Sequence, residues 1–492
     1  IKPTYTTCNQ LDQSWELAAD EISINEEEGK ARNISLRFKD ISILYLPRIT
    51  FPTNDDRKSG FLIPSFGSSS KRGVEIEIPY YWNIAPNADL KTTVNWMKKR
   101  GAEMKSELRY LSNKQRASIE LNYLPSDDLF NDDRTYSKIN YQLNPSINTQ
   151  IEITGEYASD SNYFEDLSQG TNQSSRTHLT RDIVFKSFGK NWIMNLGMTN
   201  YQILDDPPKC LAIGICDKND PFRLKPYMNF NGNWQSKNSK INFDIDSELV
   251  FFDRLQSESG KRIRNRTSLS KLFNFSGIEV KPTVGLDYAK FKPDSNEADA
   301  KRAIPIFSLD IKANLIKTSN DGSVRHSIQP RVMVVHIPFE DQSDFPFIDT
   351  LMPDFNYFQL FNENRFIGND RIGDTSKISY GFVAKRTRIN SGKDFFEFTL
   401  GQTLHLKDEK IVMPGESVRK SGSLTNLASM DIAMTESLNL KLDHYWGSDV
   451  DQIKRSQIGI EYKDSGTKRL NLAYRFRKQN IKQLHGSFFL PF

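Results

Sequence analysis

The feature that most narrows what this chain can become is a series of two-faced segments. Along Ile241–Phe251 the residues Ile241, Phe243, Ile245, Leu249 and Phe251 fall on one side of an extended chain, and Asn242, Asp244, Asp246 and Glu248 on the other. Successive side chains of a strand point to opposite faces, so this is a period-two pattern with one apolar and one polar face. A face this acidic cannot pack a dry core. It is expected to line water, with the apolar set turned to lipid. Similar segments, such as Ala117–Tyr123, Gln150–Tyr157 and Leu470–Phe476, recur from Phe61 onward. Their connections alternate between short ones (Leu111–Lys114, Asn144–Asn148, Met434–Ser437) and mostly long ones (Leu124–Arg134, Ile203–Phe222, Pro338–Ser376). That alternation is the habit of a bilayer-spanning barrel, and it predicts an all-β fold, a large antiparallel transmembrane β-barrel of about 22 strands.

Composition is compatible with this and closes other routes. Mean hydropathy is −0.58, and nowhere is there the run of about eighteen apolar residues that a membrane-spanning helix needs. A barrel escapes that test because polar residues dilute its apolar ones. Net charge is only +4 over 66 basic and 62 acidic residues, which argues against nucleic acid as the main partner. Basic clusters at Lys98–Arg100 and at Lys261, Arg262, Arg264 and Arg266 read as solvated loops or as contacts to anionic lipid head groups. Acidic doublets, Asp127–Asp128 and Asp132–Asp133 among them, read as solvated turns. The six histidines stand singly, without a metal-ligand or nucleophile motif, so no metal, no cofactor and no catalytic residue is expected. Three cysteines leave at least one thiol unpaired within the chain. Cys210 and Cys216 share a loop and could bridge, and Cys8 lies far from both. A chain opening on Ile1 is expected to be processed or a piece of a longer one.

The stretch Arg57–Gly101 sets up the functional expectation. Val74, Ile76, Ile78 and Tyr80 alternate with Glu75 and Glu77 in a strand, and Phe61–Ser70 reads as its hairpin partner. Each strand holds a proline, Pro64 and Pro79. Proline brings no N–H to a ladder. With a turn centred on Lys71–Arg72 the two prolines face each other, which marks a pairing weakened at one place. Much later, Pro338–Ser376 carries Phe345, Phe347, Phe355, Tyr357, Phe358, Phe361 and Phe366. So much aromatic surface does not suit a disordered loop. The loop is expected to fold over or into the interior as a cap, with Asn364, Arg365, Asp370 and Arg371 pairing inside.

The words RKSGFLIPSFG at Arg57–Gly67, PYYWNIAPN at Pro79–Asn87, MKKRG at Met97–Gly101, YLPSD at Tyr123–Asp127 and LFNENRFIGNDRIGD at Leu360–Asp374 resemble the LPS-assembly protein family of the Gram-negative outer membrane, also called the organic-solvent-tolerance protein family. The resemblance implies that residues 1–56 are the closing part of a periplasmic β-jellyroll, with a hinge at Pro52–Arg57. Residues 57–492 would be a barrel of about 26 strands in the family, here without its last strands. It implies a bacterial outer-membrane location and insertion of lipopolysaccharide into the outer leaflet, with sugars passing through the lumen and acyl tails through a lateral gate at Pro64 and Pro79. The implied partners are lipopolysaccharide, a plug lipoprotein and a periplasmic bridge protein that meets the jellyroll. Cys8 matches a jellyroll-side disulfide position of the family, but its partner is missing from this sequence. The rival readings are a porin or substrate-specific uptake channel, and a soluble multi-sheet adhesin.

Overall fold

The computed structural model describes residues 3–6, 15–25, 28–38, 41–52, 57–168, 173, 175–204, 221–254, 259–295, 297–447, 455–464, 468–478 and 481–489. Cys8, Cys210 and Cys216, and with them the bridge expected in the 203–222 loop, lie outside the described residues. The chain forms two compact units, Ile1–Phe188 with Asn195–Pro226, and Gly189–Met194 with Tyr227–Phe492.

The first unit opens with a five-stranded antiparallel sheet separate from the one that follows. Its strands are Thr4–Tyr5, Trp15–Ala18, Glu21–Ile24, Glu28–Phe38 and Ile41–Pro52. Glu28–Phe38 and Ile41–Pro52 are its longest strands, and Ala19, Ala31 and Ile34 make the sheet's small core. Asn33 sits at φ 50° between the pairs Arg32↔Arg48 and Ile34↔Leu46, and the register shifts by one residue farther along, between Leu36↔Leu44 and Arg37↔Ser42. The Asn33 side chain holds that left-handed backbone by donating to Asp20 Oδ2 (2.9 Å) and accepting from Tyr45 Oη (2.6 Å).

From Gly60 onward the described residues form an antiparallel β-barrel of 25 strand segments in which consecutive segments are neighbours. Three of those segments continue an interrupted strand. Ser65–Ser69 follows Gly60–Phe61 against Gly73–Ala85, and Phe273–Phe275 follows Gly260–Lys271 against Ile278–Pro293. Leu315–Thr318 likewise follows Ala300–Ala313 against Val324–Ile337. Counted as staves, the 25 segments are therefore 22. The short connections are tight turns. Between Phe275 and Ile278 only Ser276 and Gly277 intervene, at φ 51° and 89°, the left-handed pair that a two-residue hairpin requires.

The faces of the second unit are inverted relative to a soluble sheet. On Ile278–Pro293 the residues Val284, Leu286 and Tyr288 are 53%, 45% and 40% exposed, while Asp287 between them is fully buried. On the neighbouring strand Ile263 and Leu269 are exposed, and Arg262 and Arg264 are buried. Apolar outside and charged inside is the arrangement hydrocarbon selects. Ile241 and Phe243 also face out, whereas Val250 and Phe252 turn inward and are buried, so the inner face of that strand is polar only along its lower part.

Leu286 lies near the middle of its strand on the outward face. Leu286→Arg is expected to lower the folding free energy in lipid vesicles by roughly 2–4 kcal/mol, measured by reversible denaturant titration.

Candidate functional site: the first hairpin and the capped inner wall

Two regions of the barrel, one in each unit, join a departure from plain strand geometry to clustered ion pairs. In the first unit the departure is the opening hairpin. Its turn is Ser70–Arg72, with Ser69 opposite Gly73, and the ladder runs from there to Ser65↔Glu77. It then lapses over Leu62–Pro64 and resumes one residue out of step at Gly60↔Tyr81 and Phe61↔Tyr80. Pro64 and Pro79 thus do not face each other, contrary to the reading of the turn as centred on Lys71–Arg72. The three-residue turn and the shift offset them diagonally. Leu62 N donates to Pro79 O (2.9 Å). In an antiparallel ladder such a pair normally exchanges two bonds, and Pro79 has no N–H to return the second. Ile63, inside the lapse, is 83% exposed.

Both ends of this broken stave are held by charge. At the short-turn end Arg57 Nη1 reaches Asp89 Oδ2 (2.9 Å), and Asp89 also takes Arg109 Nε (2.7 Å) and Tyr81 Oη (3.1 Å). At the other end Arg72 grips Glu75 through Nε (2.7 Å) and Nη2 (3.0 Å), and Lys71 meets Glu165 (2.7 Å). The Glu75 carboxylate lies across Gly67, where a Cβ would come within 2.7 Å of it. Any side chain there displaces the ion pair.

Glu165 belongs to a short helix, Tyr163–Leu167, in the long connection that follows Thr149–Ala158. Tyr163, Phe164 and Leu167 pack with Met97, Leu124, Tyr136 and Leu179. Beneath them Arg134, with no exposed side chain, reaches Asp127 (3.1 Å), Asp160 (2.6 Å) and Asp166 (3.0 Å), and Arg100 also reaches Asp127 (2.7 Å). Arg100 and Asp127 are therefore not the solvated loop charges that their neighbourhoods suggested. Burial alone would raise the Asp127 carboxyl, but the Leu129 N–H and the two arginines hold it below the usual carboxylate range.

In the second unit the departure is the connection 338–374, which folds against the inner wall. Leu360, Phe361 and Ile372 pack on Ile304, Ile306, Met333, Val335 and Ile337 of the strands. The buried charges do the rest. Arg262 binds Glu248 through Nε (2.7 Å) and pairs with Asp370 and Asp349 of the loop. Arg264 bridges Asp246 (2.7 Å) and Asp287 (2.9 Å), and Arg302 joins Asp287 (3.1 Å) to the Asn369 carbonyl (2.8 Å). Arg262 and Arg264 are thus neither solvated nor free for lipid head groups. Loop carboxylates more than eighty residues away claim Arg262, and no local pattern announces them.

The four polar residues read from Ile241–Phe251 have separate surroundings. Asp246 and Glu248 hold the arginines, and Glu248 also accepts from Asn369 Nδ2 (2.8 Å). Asp244 accepts from Asn233, and Asn242 is half-buried across from Ser270. Within the loop, Asp370 Oδ2 accepts the N–H groups of Ile348 and Asp349 (both 2.7 Å). Burial and the negative neighbour Asp349 lift its carboxyl to about 6 against the pull of Arg262. Arg371 donates to the Phe345 carbonyl and stacks on Phe347 (4.1 Å), and Asn364 accepts from Gly373 N (2.9 Å). Arg365 instead crosses to the next long connection, bonding Glu416 (2.6 Å) and the Ile411 carbonyl (2.5 Å). There Glu409 gathers His405, Arg419 and Arg365. Burial would raise its carboxyl, but these partners bring it down to about 2.

Arg262→Ala leaves three carboxylates without their counter-charge. The expected local cost is about 3–5 kcal/mol, seen as a loss of amide-exchange protection over 345–372 while strand Gly260–Lys271 keeps its own. The pH dependence has a fixed sign, because Glu409 titrates lower in the folded state than in the unfolded one. Its contribution is complete above the ordinary glutamate value of 4.5 and is lost as pH falls toward about 2. Exchange in the 406–423 connection is expected to accelerate across that window, and Glu409→Gln to flatten the response.

The comparisons with known proteins fit these features. A family model described as LPS transport system D matches residues 132–489, and one described as LptD protein matches residues 31–124. The chain is 29% identical to the LPS-assembly protein LptD of Nitrosomonas eutropha, covering 100% of this chain and 69% of that one. With the protein of the same name from Nitrosomonas europaea it shares 30% identity over 100% of this chain and 69% of that one. For Shewanella denitrificans the figures are 30%, 96% and 62%, so this chain spans about two thirds of the length of such relatives. Among solved structures it is similar to Pseudomonas aeruginosa OccK2 (OpdF) in complex with glucuronate, at 9% identity, 80% and 94% coverage and a TM-score of 0.36. The chain belongs to the LPS transport system D family and is an all-β barrel protein of the bacterial outer membrane.

Proposed function

We propose that this chain inserts lipopolysaccharide into the outer leaflet, its sugars travelling along the charged inner wall and its acyl tails leaving sideways beside the first stave. A saccharide needs a wet path and an acyl chain needs a dry one, so one molecule must use both faces of the wall at once. That demands a seam able to part. A barrel in lipid ordinarily satisfies every backbone group, because hydrocarbon offers no partners. The observation that carries the reading is the half-made exchange at Leu62 and Pro79, followed by the lapse to Pro64. The charged clamps at Arg57–Asp89 and Arg72–Glu75 support it by letting the middle of the stave move while its ends stay in register. Family membership supports lipopolysaccharide as the cargo. On this reading the five-stranded sheet of residues 3–52 is the closing part of a periplasmic jellyroll that receives cargo from a bridge protein, and a plug lipoprotein occupies the barrel.

Restoring the ladder should hinder passage. In a Pro64→Ile, Pro79→Val double variant each regained backbone bond is worth about 1 kcal/mol, or roughly a five-fold drop in the opened population. Surface lipopolysaccharide, assayed on intact cells, is expected to fall several-fold while heat-modifiable migration of the barrel is unchanged. Normal surface levels in cells whose hairpin amides have gained exchange protection would sink the gate.

A further inference from the structure

Below the loop, the inner wall of the second unit carries an open-mouthed cavity of 390 Å³ that the ion pairs described above leave unfilled. Its walls are the strands Gly260–Lys271, Ile278–Pro293, Ala300–Ala313 and Val324–Ile337, and its roof is the loop segment 361–364. Three cations and two carboxylates line it. Glu363 is taken up by Arg266 and by Ser308 Oγ (2.7 Å), and Asp310 is held in two-point fashion by Arg331 (2.8 and 3.0 Å). Arg331 is closed from above by the Phe361 ring, 4.4 Å away.

Lys281 is left over. It stands across from Asp310 in the strand register, faces the interior and is exposed there. Among the described residues it makes no hydrogen bond or ion pair, since Arg331 already holds Asp310 at both oxygens. One unmatched ammonium in a walled recess creates a positive potential that bulk water does not fully screen. Around it are the Thr283 hydroxyl and the side-chain amide of Asn362, groups that can both donate to and accept from sugar hydroxyls, while the Asn364 amide is spent within the loop on Arg371 O and Gly373 N. The volume lies within the range of small-ligand pockets.

We propose that this cavity is a resting site for an acidic saccharide residue, a sugar ring bearing one carboxylate or phosphate that pairs with Lys281 while its hydroxyls meet Thr283 and the Asn362 amide. The site rests on the translocation reading and refines it, since it gives the passing head group one place to pause beneath the cap.

The test uses the full-length protein purified from outer membranes in detergent, with saturation-transfer NMR of galacturonate, galactose 1-phosphate and neutral galactose. At least one of the two acids is expected to bind about ten-fold more tightly than galactose, the worth of one charge-assisted contact, and which acid binds names the source of the charge. Lys281→Gln is expected to erase that preference without altering heat-modifiable migration. Asp310→Asn, which frees Arg331, is expected to strengthen acid binding. Equal binding of galactose, or an undiminished acid preference in the Lys281→Gln protein, overturns the site and leaves the gate untouched. Normal export by the tightened first hairpin overturns the gate, whatever sugar the cavity takes.

Discussion

Buried arginine–carboxylate pairing is the constraint on which the rest of the second unit depends. Arg262, Arg264 and Arg302 are almost entirely shielded from solvent, and a lone guanidinium in that position would be prohibitively costly. Each is matched instead. Asp287 is shared by Arg264 and Arg302, and Arg262 is shared by Glu248 of the wall and by Asp349 and Asp370 of the loop. A pair of this kind adds little net stability over a well-packed apolar core, but breaking it is severe. Its effect is on specificity. These pairs fix where the 338–374 connection lies on its wall, although its regular structure among the described residues is one short helix, Tyr357–Leu360, and a bridge at Leu351↔Ile367.

The first unit solves the same problem with the opposite emphasis. Arg134 is saturated by three aspartates and anchors the Tyr163–Leu167 helix, and the tip of the opening hairpin is tied to that helix through Lys71. Rigid fastening thus surrounds the least fastened stretch of backbone. Leu62–Pro64 has neither a complete ladder nor side-chain pairs to replace it, and its exposed residues are apolar. A soluble protein would treat such a stretch as a liability to be covered.

Much of this was legible in the residues and some of it was not, for a physical reason in each case. Alternation is local, so the outward set Ile241 and Phe243 and the inward set Asp246 and Glu248 could be read directly. Connection lengths are local too, and they give the stave count, because an interrupted strand such as Gly260–Lys271 with Phe273–Phe275 still reads as one crossing. Partner identity is not local. Nothing near Arg262 names Asp370, and a run of basic residues looks alike whether it is solvated or locked against a loop. The relative placement of Pro64 and Pro79 failed for a finer reason: one residue more or less in a turn is invisible to periodicity, yet it moves every cross-strand neighbour.

Arg262 and Arg302 are buried deeply enough that their pairs with the loop sit apart from the surrounding electrolyte. Dissolved ions weaken attractions between charges they can approach, over about 8–10 Å at moderate ionic strength, but hardly touch pairs already stripped of water. The fastening of the loop to its wall is therefore indifferent to salinity. A cell carried from fresh water into brine meets a new osmotic world with this loop held on the same strands by the same pairs.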